Sequence, residues 1–283
     1  SNNIFFERGQ MADKPNNYLW NGDCLELMKD IPDNSMDAII CDLPYGTTNC
    51  KWDSVIPFEP LWEQYKRIIK DNGAIVLFGA EPFSSTLRMS NIKNYKYDWV
   101  WVKNQPSGHL NAKRMPLRNN ENISVFYKKQ PTYNPQFEEY SDKVKKRFKN
   151  KEKVNQNAQR LSNTNNVYGE FKALDSEINY NRGTYPKTVK FFDTPPNSKG
   201  RLHPTQKPLE LLEYLVKTYT NENEWVLDNT CGSNTTGIAC YDFNRNYIGI
   251  EKDIEIYNVA KKRVEENILL RANKQQTLFK DKP

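Results

Sequence analysis

Residues 226–237 read Val-Leu-Asp-Asn-Thr-Cys-Gly-Ser-Asn-Thr-Thr-Gly, and residues 247–251 read Tyr-Ile-Gly-Ile-Glu. The pattern predicts an apolar strand, a tight loop of small residues, a helix, and a second apolar strand that ends in an acid. A helix that begins after such a loop presents free N–H groups to an anionic group, and the acid can accept hydrogen bonds from a ribose. Because no Gly-Lys-Ser/Thr follows, the loop suits a nucleoside with a small zwitterion better than a triphosphate. The alternative is a purely structural turn of a doubly wound α/β domain.

A second informative stretch lies near the start of the chain. The apolar run at 37–41 is followed by Asp42-Leu43-Pro44-Tyr45-Gly46. An acid, a rigid turn and an aromatic ring at the end of a buried strand can hold a flat, amine-bearing ring by its edge and its face. Alone, the same residues are also typical of an ordinary turn after a strand.

A third stretch, His203-Pro204-Thr205-Gln206-Lys207-Pro208, opens an amphipathic run at 209–216. Thr205 can cap a helix there, and Pro208 suits its first turn. A simple capped helix explains this stretch except for its position directly before the loop of small residues.

Together the three stretches resemble the β-class of S-adenosylmethionine-dependent DNA amino-methyltransferases. Residues 42–46 match the catalytic Asp-Pro-Pro-Tyr motif, 203–208 match the motif before the cofactor loop, and 228–236 match the cofactor loop itself. The order, with the catalytic motif first and the cofactor loop last, is the one that defines the class. The resemblance covers roughly residues 18–270, with the middle third unaligned. It implies a Rossmann-like α/β fold: a seven-stranded class I methyltransferase sheet, helices on both faces and an inserted target-recognition lobe.

The resemblance also implies site residues. The catalytic set is Asp42, Leu43, Pro44 and Tyr45. The set that binds S-adenosyl-L-methionine is Asp23, Asp42, Phe78, Thr205, Lys207, Asp228, Cys231, Gly232, Ser233, Asn234, Thr235 and Glu251, although a core role is slightly favoured for Phe78. No metal site is expected.

The chain departs from the family motifs at four positions. Leu43 replaces a proline whose backbone carbonyl is the functional group, so we expect activity to survive. Asn229 and Thr230 replace Pro and Phe in the cofactor loop, which removes an aromatic contact. Asn234 replaces a glycine, and Asn tolerates a positive φ better than other residues with a side chain.

The family chemistry implies methyl transfer to an exocyclic amine of a flipped-out base, with Asp42 and the Leu43 carbonyl accepting its N–H groups and Tyr45 stacking on the ring. Adenine N6 is favoured, because relatives that act on cytosine amines more often carry Ser at the position of Asp42. The alternatives are the N4 amine of cytosine, an RNA base, or an inactive relative that only binds nucleic acid.

Charge indicates a nucleic-acid partner, double-stranded DNA by the resemblance. The chain of 283 residues carries a net charge of +6, with seven Lys or Arg and one acid between 143 and 153. Such a block supplies phosphate contacts, or is simply solvated surface. The residues predicted to contact DNA are Lys103, Arg114, Lys143, Lys145, Lys146, Arg147 and Lys149.

The predicted organisation has five parts: a flexible segment (1–16), a catalytic half (17–129), a target-recognition insert (130–199), a cofactor-binding half (200–270) and a polar tail (271–283). Strands are predicted at 37–42, 73–79, 97–103 and 123–127, and helices near 59–70, 81–90 and 253–270. Five cysteines without CxxC pairing, and no visible signal peptide or membrane-length apolar run, favour a cytoplasmic, DNA-associated protein. Homodimers occur in the class, and the enzyme would serve a restriction–modification pair or act as an orphan.

Overall fold

The computed structural model describes residues 4–5, 16–46, 54–142, 183–195 and 206–280. In chain order, the strands are β1 (Ile4–Phe5), β2 (Asn17–Asn21), β3 (Met36–Cys41), β4 (Ile69–Gly79), β5 (Tyr95–Ser107), β6 (Arg118–Phe126), β7 (Val189–Phe191), β8 (Trp225–Asp228) and β9 (Asn246–Glu251). The helices are α1 (Cys24–Leu27), α2 (Phe58–Ile68), α3 (Phe83–Ser90), α4 (Leu209–Tyr219), α5 (Thr235–Asp242) and α6 (Ile254–Lys280).

Within these described ranges, nine strands form one mixed sheet in the order β1-β2-β9-β8-β3-β4-β6-β5-β7. The strands from β2 to β4 in that order run parallel, and β6 is antiparallel to both β4 and β5. The predicted sheet of seven strands is therefore confirmed as the part from β2 to β5. The edge strands β1 and β7 were not predicted, because two or three residues are too few to show a period of two.

Helices cover both faces of the sheet, as predicted, because β3 is apolar on both sides. Ile39 and Cys41 pack in the cluster that contains the buried side chains of α1, α2 and α3. Ala38 and Ile40 pack in the other cluster, with the buried side chains of α4 and α5. A strand buried on both faces reads as a continuous apolar run, which is typical of the centre of a parallel sheet.

The predicted strands and helices are found, with shifted ends. Trp99 and Trp101, which share one face of β5, are both buried against the sheet's core. Helix α6 runs ten residues past the predicted end at 270, because the added segment is rich in helix formers such as Ala, Lys, Gln and Leu. Pro208 occupies the N-cap of α4 instead of its first turn, and the predicted cap Thr205 lies outside the described residues.

Residues 135–187 form a compact unit separate from the rest of the chain. In its described part, Glu138 and Thr184 exchange two backbone hydrogen bonds of 2.9 Å. The unit lies inside the range 130–199 predicted as the target-recognition insert, a role that stays a prediction. None of the described helices is long and apolar enough to span a membrane.

Candidate active site

The parallel strands place the predicted motifs at one edge of the sheet. The turn 42–46 follows β3, the loop 229–234 follows its neighbour β8, and Glu251 ends β9. Ligands of open α/β sheets bind at this carboxyl edge. The fold thus brings together motifs that are almost two hundred residues apart in the sequence.

Four charged side chains form the centre of the site, and we call Asp42, Lys103, Glu121 and Lys207 the ionic cluster. The Lys207 Nζ lies 2.5 Å from Asp42 Oδ2 and 3.3 Å from Glu121 Oε2, and the Lys103 Nζ lies 2.5 Å from Glu121 Oε1. Asp42 is the most exposed of the four side chains, at 25%, and the others are 10–14% exposed. The charges of two carboxylates and two ammonium groups therefore balance one another in a site that is largely shielded from water. An unpaired charge would be energetically unfavourable there.

The cluster sets the protonation of its members. Burial opposes the charge of Glu121, but Lys207 and Lys103 together hold the pKa of that carboxyl below its ordinary value. Burial likewise opposes the charge of Lys207, and Asp42 and Glu121 outweigh it and raise the pKa of the ammonium. Burial raises the pKa of Asp42, while the Lys207 charge acts to lower it. Lys207 is thus the group that favours an ionised Asp42.

Tyr45 adds a neutral donor to the same carboxylate. Its hydroxyl donates to Asp42 Oδ1 over 2.7 Å and lies 3.4 Å from Glu121 Oε2. Burial and the two carboxylates raise the pKa of Tyr45 well above its ordinary value, so the phenol stays protonated. Its ring lies 5.1 Å from that of Phe83. Leu43, in place of the family proline, is buried in the core cluster below the turn.

Thr230 joins the catalytic turn directly to the loop 229–234. Its hydroxyl donates to the backbone oxygen of Asp42 over 2.9 Å, and it lies 2.9 Å from Cys41 Sγ. Burial raises the pKa of Cys41 well above its ordinary value, so the thiol stays protonated. A phenylalanine at this position, as in the family motif, could make neither hydrogen bond.

Asp228 organises the start of the loop. Its carboxyl accepts a hydrogen bond of 2.7 Å from the Thr236 hydroxyl and one of 3.3 Å from the Thr230 N–H. Burial raises the pKa of Asp228 to about 7, although these hydrogen bonds lower it. The carboxyl therefore changes charge near neutral pH.

The rest of the loop is shaped to leave room for a ligand. Gly232 has a φ of +52°, and a Cβ built there would meet nothing within 4 Å. Its N–H donates to Glu251 Oε2 over 3.0 Å, which brings the predicted ribose-binding acid to this open space. Asn234 has a φ of 63°, in agreement with the positive φ that its substitution for glycine predicts. These features fit a nucleoside cofactor.

Arg263 of α6 was not predicted, although it holds the loop in place. Its Nη1 donates over 2.8 Å to both the Ser233 oxygen and the Thr235 hydroxyl. Burial lowers the pKa of Arg263 to about 10. Its spacing on α6 could have indicated this role, because Arg263 lies three residues after the buried Ala260 and six after the buried Tyr257.

The other predicted residues have varied surroundings. Phe78 is 1% exposed and belongs to the core, which favours its core interpretation. Asp23 caps α1, accepting from the Leu25 N–H over 2.9 Å. Lys103 lies inside the ionic cluster, where it pairs with Glu121, and Arg114 is exposed. Thr205 and the predicted DNA contacts Lys143, Lys145, Lys146, Arg147 and Lys149 lie outside the described residues.

Glu121 was also missed by the sequence analysis. It stands in Asn119-Asn120-Glu121, for which no role was predicted, and it is 9% exposed. A signal was present, because Glu121 lies two residues before Ile123 and so continues the alternation of Ile123 and Val125 in the predicted strand 123–127. In the described part of the chain, no group of three or more His, Cys, Asp or Glu is arranged to hold a metal ion.

The sheet, its carboxyl-edge loops and the acid at the end of β9 define an α/β protein of the class I methyltransferase type. A family model for N6/N4 DNA methylases, described as DNA methylase, matches residues 36–262. The chain belongs to this family. The resemblance drawn from the sequence, and the fold that it implied, are thus confirmed.

Individual relatives agree with this assignment. The chain is 27% identical over 281 residues to type II methyltransferase M2.MboI of Moraxella bovis, covering 90% of each protein. It is 27% identical over 256 residues to type II methyltransferase M.HpaI of Haemophilus parainfluenzae, covering 85% of this chain and 72% of that protein. The fold is similar to the crystal structure of the M1.HpyAVI–SAM complex, with a TM-score of 0.57, 27% identity, and coverage of 87% of this chain and 98% of that one.

The pKa of Asp228 predicts a pH-dependent stability. The ordinary pKa of the aspartate side chain is 3.8, and the pKa of Asp228 in the folded chain is about 7. Between these two pH values the folded chain retains a proton on Asp228 that the unfolded chain releases. The free energy of unfolding should therefore fall as pH rises through this range, by at most about 1.4 kcal/mol per pH unit. Asp228→Asn removes this titration, so between pH 5 and pH 7 the wild type should lose roughly 2 kcal/mol more than the variant does.

Urea unfolding followed by circular dichroism measures this difference. Asp30→Asn, which removes an exposed acid, is the control and should follow the wild-type curve. Parallel pH profiles for the wild type and Asp228→Asn would contradict the assignment of a raised pKa to Asp228.

Proposed function

We propose that this chain transfers a methyl group from S-adenosylmethionine to the N6 amine of adenine, flipped out of a short specific sequence in double-stranded DNA. The observation that carries the proposal is the fixed carboxylate of Asp42, held by Lys207 and Tyr45 and joined through Thr230 to the loop 229–234. Membership of the DNA methylase family supports DNA as the substrate. The S-adenosylmethionine complex of the similar protein M1.HpyAVI supports the cofactor.

The cofactor residues would be those of the open loop. When bound, S-adenosylmethionine supplies an electrophilic methyl group on a sulfonium. The free space at Gly232 allows the backbone to approach the ligand, and Glu251, which already reaches that space, would accept hydrogen bonds from the ribose hydroxyls. The raised pKa of Asp228 suits a carboxyl that ionises when a positively charged ligand binds close by.

The catalytic turn would orient the target amine. An aryl amine is a poor nucleophile because its lone pair is delocalised into the ring. Asp42 and the Leu43 carbonyl would accept its two N–H groups and so favour a tetrahedral nitrogen with a free lone pair. Each Asp42 oxygen accepts one hydrogen bond from a neighbouring side chain and keeps lone-pair capacity for another. The methylated ammonium then loses a proton readily, so no strong general base is required.

Adenine is preferred over cytosine on the family tendency for Ser at the position of Asp42 in cytosine-specific relatives. The N4 amine of cytosine and an RNA base remain the alternative substrates. A binding protein without turnover is the third alternative, and the intact Asp42, Pro44, Tyr45 and Glu251 argue against it. The roles of 130–199 in target recognition and of the basic block in phosphate binding belong to the same proposal.

The methylated base is identified by mass spectrometry of nucleosides. Unmethylated duplex DNA and RNA are each incubated with the protein and methyl-deuterated S-adenosylmethionine, and we expect labelled N6-methyladenine from DNA alone. Labelled N4-methylcytosine or a labelled RNA base would overturn the assignment of the substrate. The control Asp42→Ala should yield no label while still binding the cofactor in a calorimetric titration.

The ionic cluster predicts a shifted pH profile of activity. Lys207→Gln removes the cation that favours ionisation of Asp42, so the pKa of that carboxyl should rise. Activity, which needs the ionised carboxylate, should then be lost at a higher pH on the acid side than in the wild type. Initial methylation rates between pH 5 and pH 9 measure this.

Lys207→Arg keeps the charge and should restore most of the wild-type profile. Lys128→Gln, which removes an exposed lysine paired with Asp71, controls for a general effect of lost charge. An unchanged acid limb in Lys207→Gln would show that Lys207 does not govern the charge of Asp42.

A further inference from the structure

The turn between β5 and β6 has an exposed apolar side chain that the fold does not use. We call residues 108–117 the tip loop. All of its residues up to Pro116 are exposed, with Leu110 at 103% and Met115 at 58% relative exposure. A leucine as exposed as in an extended chain gains no burial energy on folding. Leu110 is therefore available to contact a binding partner.

The tip loop extends from the ionic cluster. Lys103 and Glu121 lie on β5 and β6, and the two strands continue outward until Ser107 pairs with Arg118. β4 ends earlier, with Gly79 opposite Asn122. Because a strand rises about 3.3 Å per residue, Arg118 lies about 10 Å beyond Glu121, past the carboxyl edge of the sheet. The tip loop thus projects beside the proposed target-base site.

The charge of this region complements a nucleic acid. From Trp99 to Asn120 the sequence contains no Asp or Glu. Lys113, Arg114 and Arg118 are all exposed in the same stretch. A cationic surface without acids is suited to the phosphates of a duplex, which dominate the affinity of proteins for DNA.

The tip loop is held in shape by its own backbone. Gly108, with a φ of +91°, turns the chain, and a short 3₁₀ turn follows at His109–Asn111. The Asn111 N–H donates to the Gly108 oxygen over 2.9 Å, and the N–H groups of Arg114 and Met115 donate to the Asn111 oxygen over 2.8 and 3.0 Å. Leu110 is therefore presented to solvent by a hydrogen-bonded turn.

We propose that the tip loop enters the DNA duplex and that Leu110 fills the gap left in the base stack when the target base is flipped out. The proposal rests on the proposed function, since only an enzyme that extrudes a base creates such a gap. Apolar side chains of DNA-bending proteins insert between bases in a similar way, with cationic residues on the neighbouring phosphates. Lys113 and Arg114 would take that second role.

The experiment compares Leu110→Ser with the wild type on unmethylated duplex DNA and on the same DNA after heat denaturation. Because Leu110 is proposed to assist extrusion of a base from the stack, the kcat/KM of Leu110→Ser on duplex DNA should fall about tenfold or more. On single strands it should fall by less than about twofold. Ile92→Ser is the matched control, since Ile92 is 56% exposed in the turn at the opposite end of β5. It should leave both rates unchanged.

A second measurement reports insertion without depending on turnover. Leu110→Trp places an indole in the tip loop. The fluorescence of this indole is obtained by subtracting the wild-type signal from that of the variant. It should be quenched by stacking on the bases when duplex DNA and cofactor are added. Ile92→Trp should show no change. Provided that the wild type is active, the proposal would be overturned if Leu110→Ser methylated duplex DNA as fast as the wild type, or if it lost activity equally on duplex and single strands. Unquenched fluorescence of Leu110→Trp would overturn it as well. Absence of methylation by the wild type would instead refute the proposed function.

Discussion

The ion pairs of Lys207 connect three parts of the chain that are far apart in the sequence. Lys207 precedes α4, Asp42 follows β3 and Glu121 lies on β6, and the three side chains meet within 3.3 Å. A charge held away from water must be paired, and removing one partner of such a pair typically destabilises a protein by several kcal/mol. The positions of the turn 42–46, the first part of β6 and the start of α4 therefore depend on one another. A site built in this way is organised before any ligand arrives.

Thr230 extends the same organisation to the loop 229–234. In the family motif this position is aromatic, and an aromatic side chain would leave the backbone oxygen of Asp42 without the hydroxyl that binds it here. The neighbouring Asn229 accepts a hydrogen bond of 2.6 Å from Tyr65 of α2. The substitutions that appeared from the sequence only to remove a contact thus replace it with hydrogen bonds to β3 and α2. The loop is fixed by polar contacts in this chain.

The sequence predicts those parts of the protein that depend on local patterns. The apolar run of β3, the small residues of 229–234 and the acid at the end of β9 are visible in consecutive residues, and they led to the correct fold class and family. Pairing between distant side chains leaves no such trace. Lys103 was predicted to contact DNA phosphate or the extruded nucleotide, and nothing in the sequence reveals Glu121 opposite it. Arg263 was missed because the loop that it binds lies 30 residues earlier. Exposure and long-range partners needed the structure.

The balance of the ionic cluster also limits what can bind beside it. With two carboxylates and two ammonium groups, the cluster has no unpaired charge that a substrate must neutralise. A neutral amine that donates hydrogen bonds disturbs none of these ion pairs, because Asp42 can accept further bonds without losing Lys207 or Tyr45. In the proposed reaction, positive charge would develop on the amine nitrogen beside the Asp42 carboxylate, which Lys207 and Tyr45 already hold in place. Such a carboxylate, already oriented by its partners, need not reorganise when charge develops, and this is the main source of electrostatic stabilisation in enzymes.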